Sequence, residues 1–164
     1  MDVESIFDEQ YDGLYRYLAR LTGDPDLAAD VAQECFIRLV ERQPEDHQLK
    51  AWLYRVATNL VRDHARVHKR RLELLDESAD SLREASRPPD PDRALEQAEA
   101  RRVVHRALAA LSLRDRTLLL MREQGFSHRE MAEAVGTTTK SVGSMIARAL
   151  RKLARNLPRS EVDP

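Results

Sequence analysis

The sequence predicts an all-α protein of two small helical domains, joined by a flexible acidic, Pro-containing linker and ending in a helix-turn-helix. Three observations carry this prediction. Apolar residues recur at three- and four-residue spacing through two long stretches, and no strand-like alternation or internal repeat interrupts them. Between the stretches, the segment from Leu72 to Arg93 is rich in Asp, Glu and Ser, includes Pro88, Pro89 and Pro91, and offers few apolar residues. Seven of the eight aromatic residues fall before residue 55, so the two stretches also differ in composition. The expected boundaries are 1–71, 72–93, 94–157 and a tail at 158–164.

In the first domain, Phe7, Tyr11, Leu14, Tyr15 and Leu18 mark a helix that Gly23 stops. Asp24 then caps the next helix, with Pro25 at its first position, where a missing N–H costs nothing. That helix runs to about Arg42 on an apolar stripe of Leu27, Val31, Cys35, Phe36 and Leu39. Asp26, Asp30, Gln33, Glu34, Ile37 and Arg38 are left away from the stripe. After a polar loop, Gln43 to Gln48, a third helix is marked by Leu49, Trp52, Leu53, Val56, Ala57, Leu60 and Val61, and ends in the basic run His68-Lys69-Arg70-Arg71.

In the second domain, Leu95, Val104, Ala107, Leu108 and Leu111 restore the helical period, and Ser112 caps a helix that closes at Gly125. Ser127 and Glu130 have capping-box spacing before a short helix to Val135. Gly136-Thr137-Thr138 form the turn, and Lys140 to Leu153 form a basic amphipathic helix. Ala132 is small where the two helices cross, Gly136 tolerates the positive φ of a tight turn, and Val142 and Ile146 face the first helix. Lys140, Arg148, Arg151, Lys152 and Arg155 follow with no acid between residues 134 and 160, as suits a helix in a phosphate-lined groove. A plain helical hairpin with a solvated basic face is the competing reading.

The formal net charge of −1 conceals blocks of opposite sign. Residues 1–46 carry 4 basic and 12 acidic side chains, and 47–71 carry 7 and 1. Residues 72–99 carry 3 and 9, and 100–164 carry 13 and 6. Two basic segments are thus each preceded by an acidic one, and where charge lies governs nucleic-acid binding more than its total. No run of apolar residues approaches a membrane span, and the N-terminus MDVESIFDEQ is acidic where a signal peptide is basic, so a cytoplasmic protein without membrane insertion is expected. Cys35 is the only cysteine, which excludes an intramolecular disulfide and a multi-cysteine zinc site. His64 and His68 share a helix face, but Lys69-Arg70-Arg71 beside them repel a cation, so no metal and no cofactor are expected. No phosphate-binding Gly loop, zinc-protease helix or nucleophile elbow is present, so an enzyme is not expected.

Three segments together resemble the sigma-70 family of bacterial sigma factors, in its extracytoplasmic-function (ECF) group. Asp30-Val-Ala-Gln33-Glu34-Cys-Phe36 is similar to the segment that binds core RNA polymerase, and Trp52-Leu53-Tyr54-Arg55-Val-Ala-Thr-Asn59-Leu-Val-Arg62-Asp63-His-Ala-Arg66 to the promoter −10 segment. Phe126-Ser-His-Arg-Glu130-Met-Ala132-Glu-Ala-Val-Gly136, followed by Ser141-Val142-Gly-Ser144 and Arg148-Ala149, is similar to the −35 reader. The resemblance implies a non-enzymatic protein that binds core polymerase and promoter DNA, with an anti-sigma factor as a further partner. It implies core-polymerase contacts at Asp30, Gln33, Glu34 and Arg38, and −10 contacts at Arg55, Asn59, Arg62 and Arg66. It also implies −35 contacts at Lys140, Ser141, Ser144 and Arg148. The linker would lie in a basic polymerase channel and let the lobes reach elements about two duplex turns apart. Gly143 and Met145 stand where family members carry basic residues, so weaker or altered −35 reading is expected. The alternative is a stand-alone helix-turn-helix regulator that binds duplex DNA unaided.

Overall fold

The computed structural model describes residues 2–75 and 95–158, which form seven α-helices and their connections with no strand among the described residues. Helices α1 (Val3–Thr22), α2 (Pro25–Arg42) and α3 (Leu49–Leu75) make the N-terminal lobe, and a short 3-10 turn (Asp46–Gln48) leads into α3. Helices α4 (Leu95–Ala109), α5 (Leu113–Glu123), α6 (His128–Val135) and α7 (Thr139–Asn156) make the C-terminal lobe.

The caps form as the sequence expects. Asp24 accepts hydrogen bonds from the backbone N–H groups of Asp26 (3.0 Å) and Leu27 (3.3 Å), with Pro25 at the first helical position. Ser112 caps α5 through the N–H of Asp115, at 3.1 Å. Each such cap contributes about 0.5–2 kcal/mol. In the N-terminal lobe, Leu14, Leu18, Leu21, Val31, Cys35, Leu39, Leu53 and Val61 close one core. At its centre the hydroxyls of Tyr17 and Thr58 lie 2.8 Å apart, and Thr58 also donates to the Tyr54 carbonyl at 2.7 Å. Two buried polar groups on different helices are thereby satisfied.

Three expectations need correction. Helix α3 does not end at Arg71 but continues to Leu75, because Leu72-Glu73-Leu74-Leu75 are good helix formers with no Gly, Pro or capping residue among them. The rest of the expected linker lies outside the described residues, as do its expected flexibility and its polymerase channel. Val104 does not join the core: it is 47% exposed, because α4 meets the body through its last turns, where Ala107 and Leu108 are buried and Asn156 donates to the Ala107 carbonyl at 3.1 Å. Met145 is buried, not directed at a groove, since 142, 145, 146 and 149 share one stripe against the lobe core.

The lobes pack on each other. The Tyr54 ring lies between Tyr17 and Phe126, with centroids 4.9 Å from each, so the apolar core runs across the junction. Around it, Arg20 pairs with Glu123 at 2.9 Å and Lys50 donates to the Gln124 carbonyl at 3.4 Å. Arg116, on α5, donates to the Leu21 carbonyl at 2.6 Å and to the Leu111 carbonyl at 3.4 Å.

Candidate nucleic-acid interface

The helix-turn-helix is α6, its turn and α7. A reciprocal capping box opens α6: the Ser127 N–H donates to Glu130 Oε1 (2.9 Å) and the Glu130 N–H to Ser127 Oγ (3.1 Å). Gly136 ends it at φ 72°, and the N–H groups of Gly136 and Thr137 both donate to the Ala132 carbonyl. The turn therefore demands a residue free of Cβ strain, and Ala132 is buried at the crossing. Val142, Met145, Ile146 and Ala149 anchor α7. On the other side Lys140, Ser144 and Arg148 are exposed and Ser141 is half-buried, all on one face of the helix. Ser141 Oγ lies 2.7 Å from Thr138 Oγ1, and Ser144 Oγ donates to the Ser141 carbonyl at 3.0 Å. Lys152 is held by Asp115 at 3.1 Å, whereas Lys140 and Arg148 have no acidic partner among the described residues.

Arg55, Asn59, Arg62 and Arg66 lie along one face of α3, but the lobe junction divides them. Asn59 and Arg66 are exposed, and Arg66 has Asp63 beside it at 3.9 Å. Arg55 and Arg62 are half-buried against α6: Arg55 lies 3.4 Å from Glu133 Oε2, and Arg62 donates to the Ala134 carbonyl at 2.7 Å. A cleft of about 310 Å³ opens there, lined by Thr58, Arg62, Arg66, Arg114, Thr117 and Gly136 among others, with no carboxylate in its wall. Arg114 escapes sequence reasoning, because only the packing of α6 against both α3 and α5 brings it to the same cleft as Arg62.

On α2, Asp30, Gln33 and Arg38 are exposed and Glu34 is half-buried, with Arg38 Nε 3.1 Å from Glu34 Oε1. Asp30 and Gln33 rim a groove of about 450 Å³ floored by Phe7, Tyr11, Phe36, Ile37 and Val40. Phe7, Ile37 and Val40 are 41–51% exposed there, and Phe7 stacks on Tyr11 at 4.7 Å. The signal for this apolar part lies in the sequence: Ile37 and Val40 are apolar residues off the buried stripe. Cys35 lies beneath, and burial pushes its thiol pKa up to about 12, so the thiol is a packing group. The Tyr54 hydroxyl is likewise pushed up to about 12 by burial, and that of Tyr17 further. The His64 and His68 rings stack at 6.3 Å, and no cluster of three metal-ligating side chains occurs among the described residues.

Two family models match the chain, Sigma-70 region 2 over residues 6–71 and Sigma-70 region 4 over residues 101–153. The chain is 30% identical over 161 residues to the ECF RNA polymerase sigma factor SigL of Mycobacterium tuberculosis, covering 94% of this chain and 88% of that one. It is 30% identical over 158 residues to the ECF RNA polymerase sigma factor BldN of Streptomyces coelicolor, covering 93% of this chain and 59% of that one. It is 34% identical over 84 residues to the ECF RNA polymerase sigma factor SigM of Bacillus subtilis, covering 50% of this chain and 52% of that one. The match thus spans a little over half the length of the last two relatives. In fold, the chain is similar to the sigma factor RpoE of Bartonella quintana, solved in complex with the anti-sigma factor NepR. The TM-score is 0.76 at 22% identity, over 99% of both chains.

Proposed function

Because this chain belongs to the ECF RNA polymerase sigma factors, we propose that it binds core RNA polymerase and directs promoter-specific initiation by reading the −10 and −35 elements. One observation carries this reading: region 2 and region 4 stand in order in a single chain, and each includes a helix with a row of basic residues. The residue ranges 1–71, 72–93, 94–157 and 158–164 divide the labour as N-terminal domain, linker, −35 domain and tail, with the first four linker residues continuing α3. The α2 face of Asp30, Gln33, Glu34 and Arg38, with the apolar groove beside it, docks on polymerase. Helix α3 holds the −10 element through Arg55, Asn59, Arg62 and Arg66. An amide such as that of Asn59 both donates and accepts, which suits a base taken out of the stack, and capturing that base offsets an unstacking cost of a few kcal/mol. Helix α7 reads the −35 element through Lys140, Ser141, Ser144 and Arg148. An anti-sigma factor restrains the chain by masking these surfaces, and the whole operates in the cytoplasm. No covalent bond is broken by the protein in any of these steps.

In vitro transcription with purified core polymerase and genomic promoter fragments tests this function. Initiation at specific start sites, with poor duplex binding by the free chain, is the expected result. A chain that shifts operator duplex unaided and leaves core polymerase unbound would instead be a stand-alone helix-turn-helix regulator. The docking face has its own test: Asp30→Lys with Glu34→Lys, both on the solvent side of α2, weakens holoenzyme assembly at least tenfold while helicity by circular dichroism is unchanged. Unaltered affinity for core enzyme would remove the α2 face from the polymerase interface.

A further inference from the structure

We propose that the cleft between α3, α5 and α6 is a binding site for a small polyanion, a diphosphate group held by the guanidinium groups of Arg62, Arg66 and Arg114. Arg62 and Arg66 are shared with the proposed −10 set, but Arg114 belongs to neither promoter-reading set, so the site stands whether or not α3 holds the −10 element.

Three cations converge on this cleft and no carboxylate lines it. The acids nearest to it in sequence are engaged elsewhere. Asp115, next to Arg114, is held by Lys152 at 3.1 Å. Glu133, just before the cleft residue Val135, lies between Arg55 at 3.4 Å and Arg129 at 3.7 Å. Asp63 comes no nearer to Arg66 than 3.9 Å. Among the described residues Arg114 meets only a sulfur, with its Nη2 3.8 Å from Met145 Sδ, and a thioether is a weak acceptor. Arg62 spends one N–H on the Ala134 carbonyl at 2.7 Å, which orients its fork and leaves its remaining donors for a ligand.

The hydroxyl groups of the wall have no proton to give. Thr58 donates to the Tyr54 carbonyl and Thr117 to the Leu113 carbonyl, each at 2.7 Å. The side-chain donors left are guanidinium N–H groups alone, and the ligand they fit is one that only accepts, an oxyanion. Size and charge narrow the class. The cleft holds about 310 Å³, at the lower end of the roughly 300–1,000 Å³ of small-molecule sites. One phosphate ester carries a charge of about −1.5 to −2, so three guanidinium groups are matched by two linked phosphates and not by one. Planar forks pair with phosphate oxygens two at a time, where an ammonium acts as a point charge. The diphosphate is either free or carried by a nucleotide, whose sugar and base would lie against Leu113 and Val135.

The test titrates the full chain with inorganic pyrophosphate at constant ionic strength, by calorimetry and by amide NMR. Saturable binding should shift the amide of Gly136, in the cleft wall, and leave in place that of Gly23, between α1 and α2. Arg114→Ala should weaken binding about tenfold, the worth of one charge-assisted contact. Arg114→Lys should recover only part of that loss, because it keeps the charge without the fork. Arg122→Ala removes the same charge from an exposed position near the other end of α5 and should leave the affinity within about twofold. GDP in place of pyrophosphate separates the two sources: tighter binding assigns the diphosphate to a nucleotide, and equal or weaker binding assigns it to the free ion. No saturable binding, an unmoved Gly136 amide at saturation, equal losses from Arg114→Ala and Arg122→Ala, or displacement of pyrophosphate by an equal concentration of sulfate would each overturn the proposal.

Discussion

Helices α3 and α7 both carry a row of cations, and they dispose of that charge in opposite ways. On α7, Lys140 and Arg148 face solvent with no acid beside them among the described residues, because Val142, Met145, Ile146 and Ala149 turn the other face inward. On α3, Arg55 and Arg62 turn toward α6 and end on Glu133 and the Ala134 carbonyl. Charge counted along a sequence is therefore not the same quantity as potential offered to a ligand. Two helices of similar composition differ in readiness because one of them carries the lobe junction.

Tyr54 is where that difference is most exposed to attack, since its ring packs between Tyr17 on α1 and Phe126 beyond α5. Tyr54→Ala should cost about 3–5 kcal/mol of unfolding free energy, the range for deleting a buried aromatic, measured by denaturant titration. A loss below about 1 kcal/mol would mean that the junction is not packed around this ring.

A smaller effect separates the helices in DNA binding. Arg148→Ala should cost the free chain about 1–3 kcal/mol in affinity for a −35 duplex. Arg62→Ala should leave the same titration nearly unchanged, because Arg62 lies on α3, away from the exposed face of α7, and its guanidinium donates to the Ala134 carbonyl. Equal losses from both substitutions, read by fluorescence anisotropy, would erase the distinction drawn between α3 and α7.

The smallest expected change sharpens the α7 side alone. A Cβ at Gly143 would sit 3.7 Å from His128 Cε1, an ordinary contact, so an arginine fits there. Gly143→Arg should stabilise the helix by up to about 1 kcal/mol and steepen the log–log salt dependence of −35 binding by about 0.9 per added phosphate contact. An unchanged slope would place position 143 away from the backbone of the duplex. No matching gain is expected from restoring a cation at Met145, which is buried.

These contrasts mark how much of the molecule can be read before folding. Caps and turns are local, so Asp24-Pro25, the Ser127 and Glu130 box and Gly136 declare themselves within a few residues. Apolar period is nearly as local and places the cores of α2 and α7, Met145 included once 142, 145, 146 and 149 are taken as one stripe. Val104 misleads because period alone does not tell how much of a helix finds a neighbour. The pairings of Arg62 with Ala134 and Arg20 with Glu123 join residues 72 and 103 positions apart, and no spacing rule reaches that far. Arg55 and Arg62 are therefore legible as members of a row of basic residues but not as part of a junction.

Arg116 is the polar group of that junction whose hydrogen-bonding capacity is least fully met. From α5 its guanidinium bridges the last turn of α1 and the connection that follows α4, its Nε finds no acceptor, and burial lowers its pKa. A cation partly withdrawn from water costs free energy, and two carbonyl partners offset part of that loss. The junction thus combines an apolar centre at Tyr54 and Phe126 with a half-buried cation whose hydrogen-bonding capacity is met only in part.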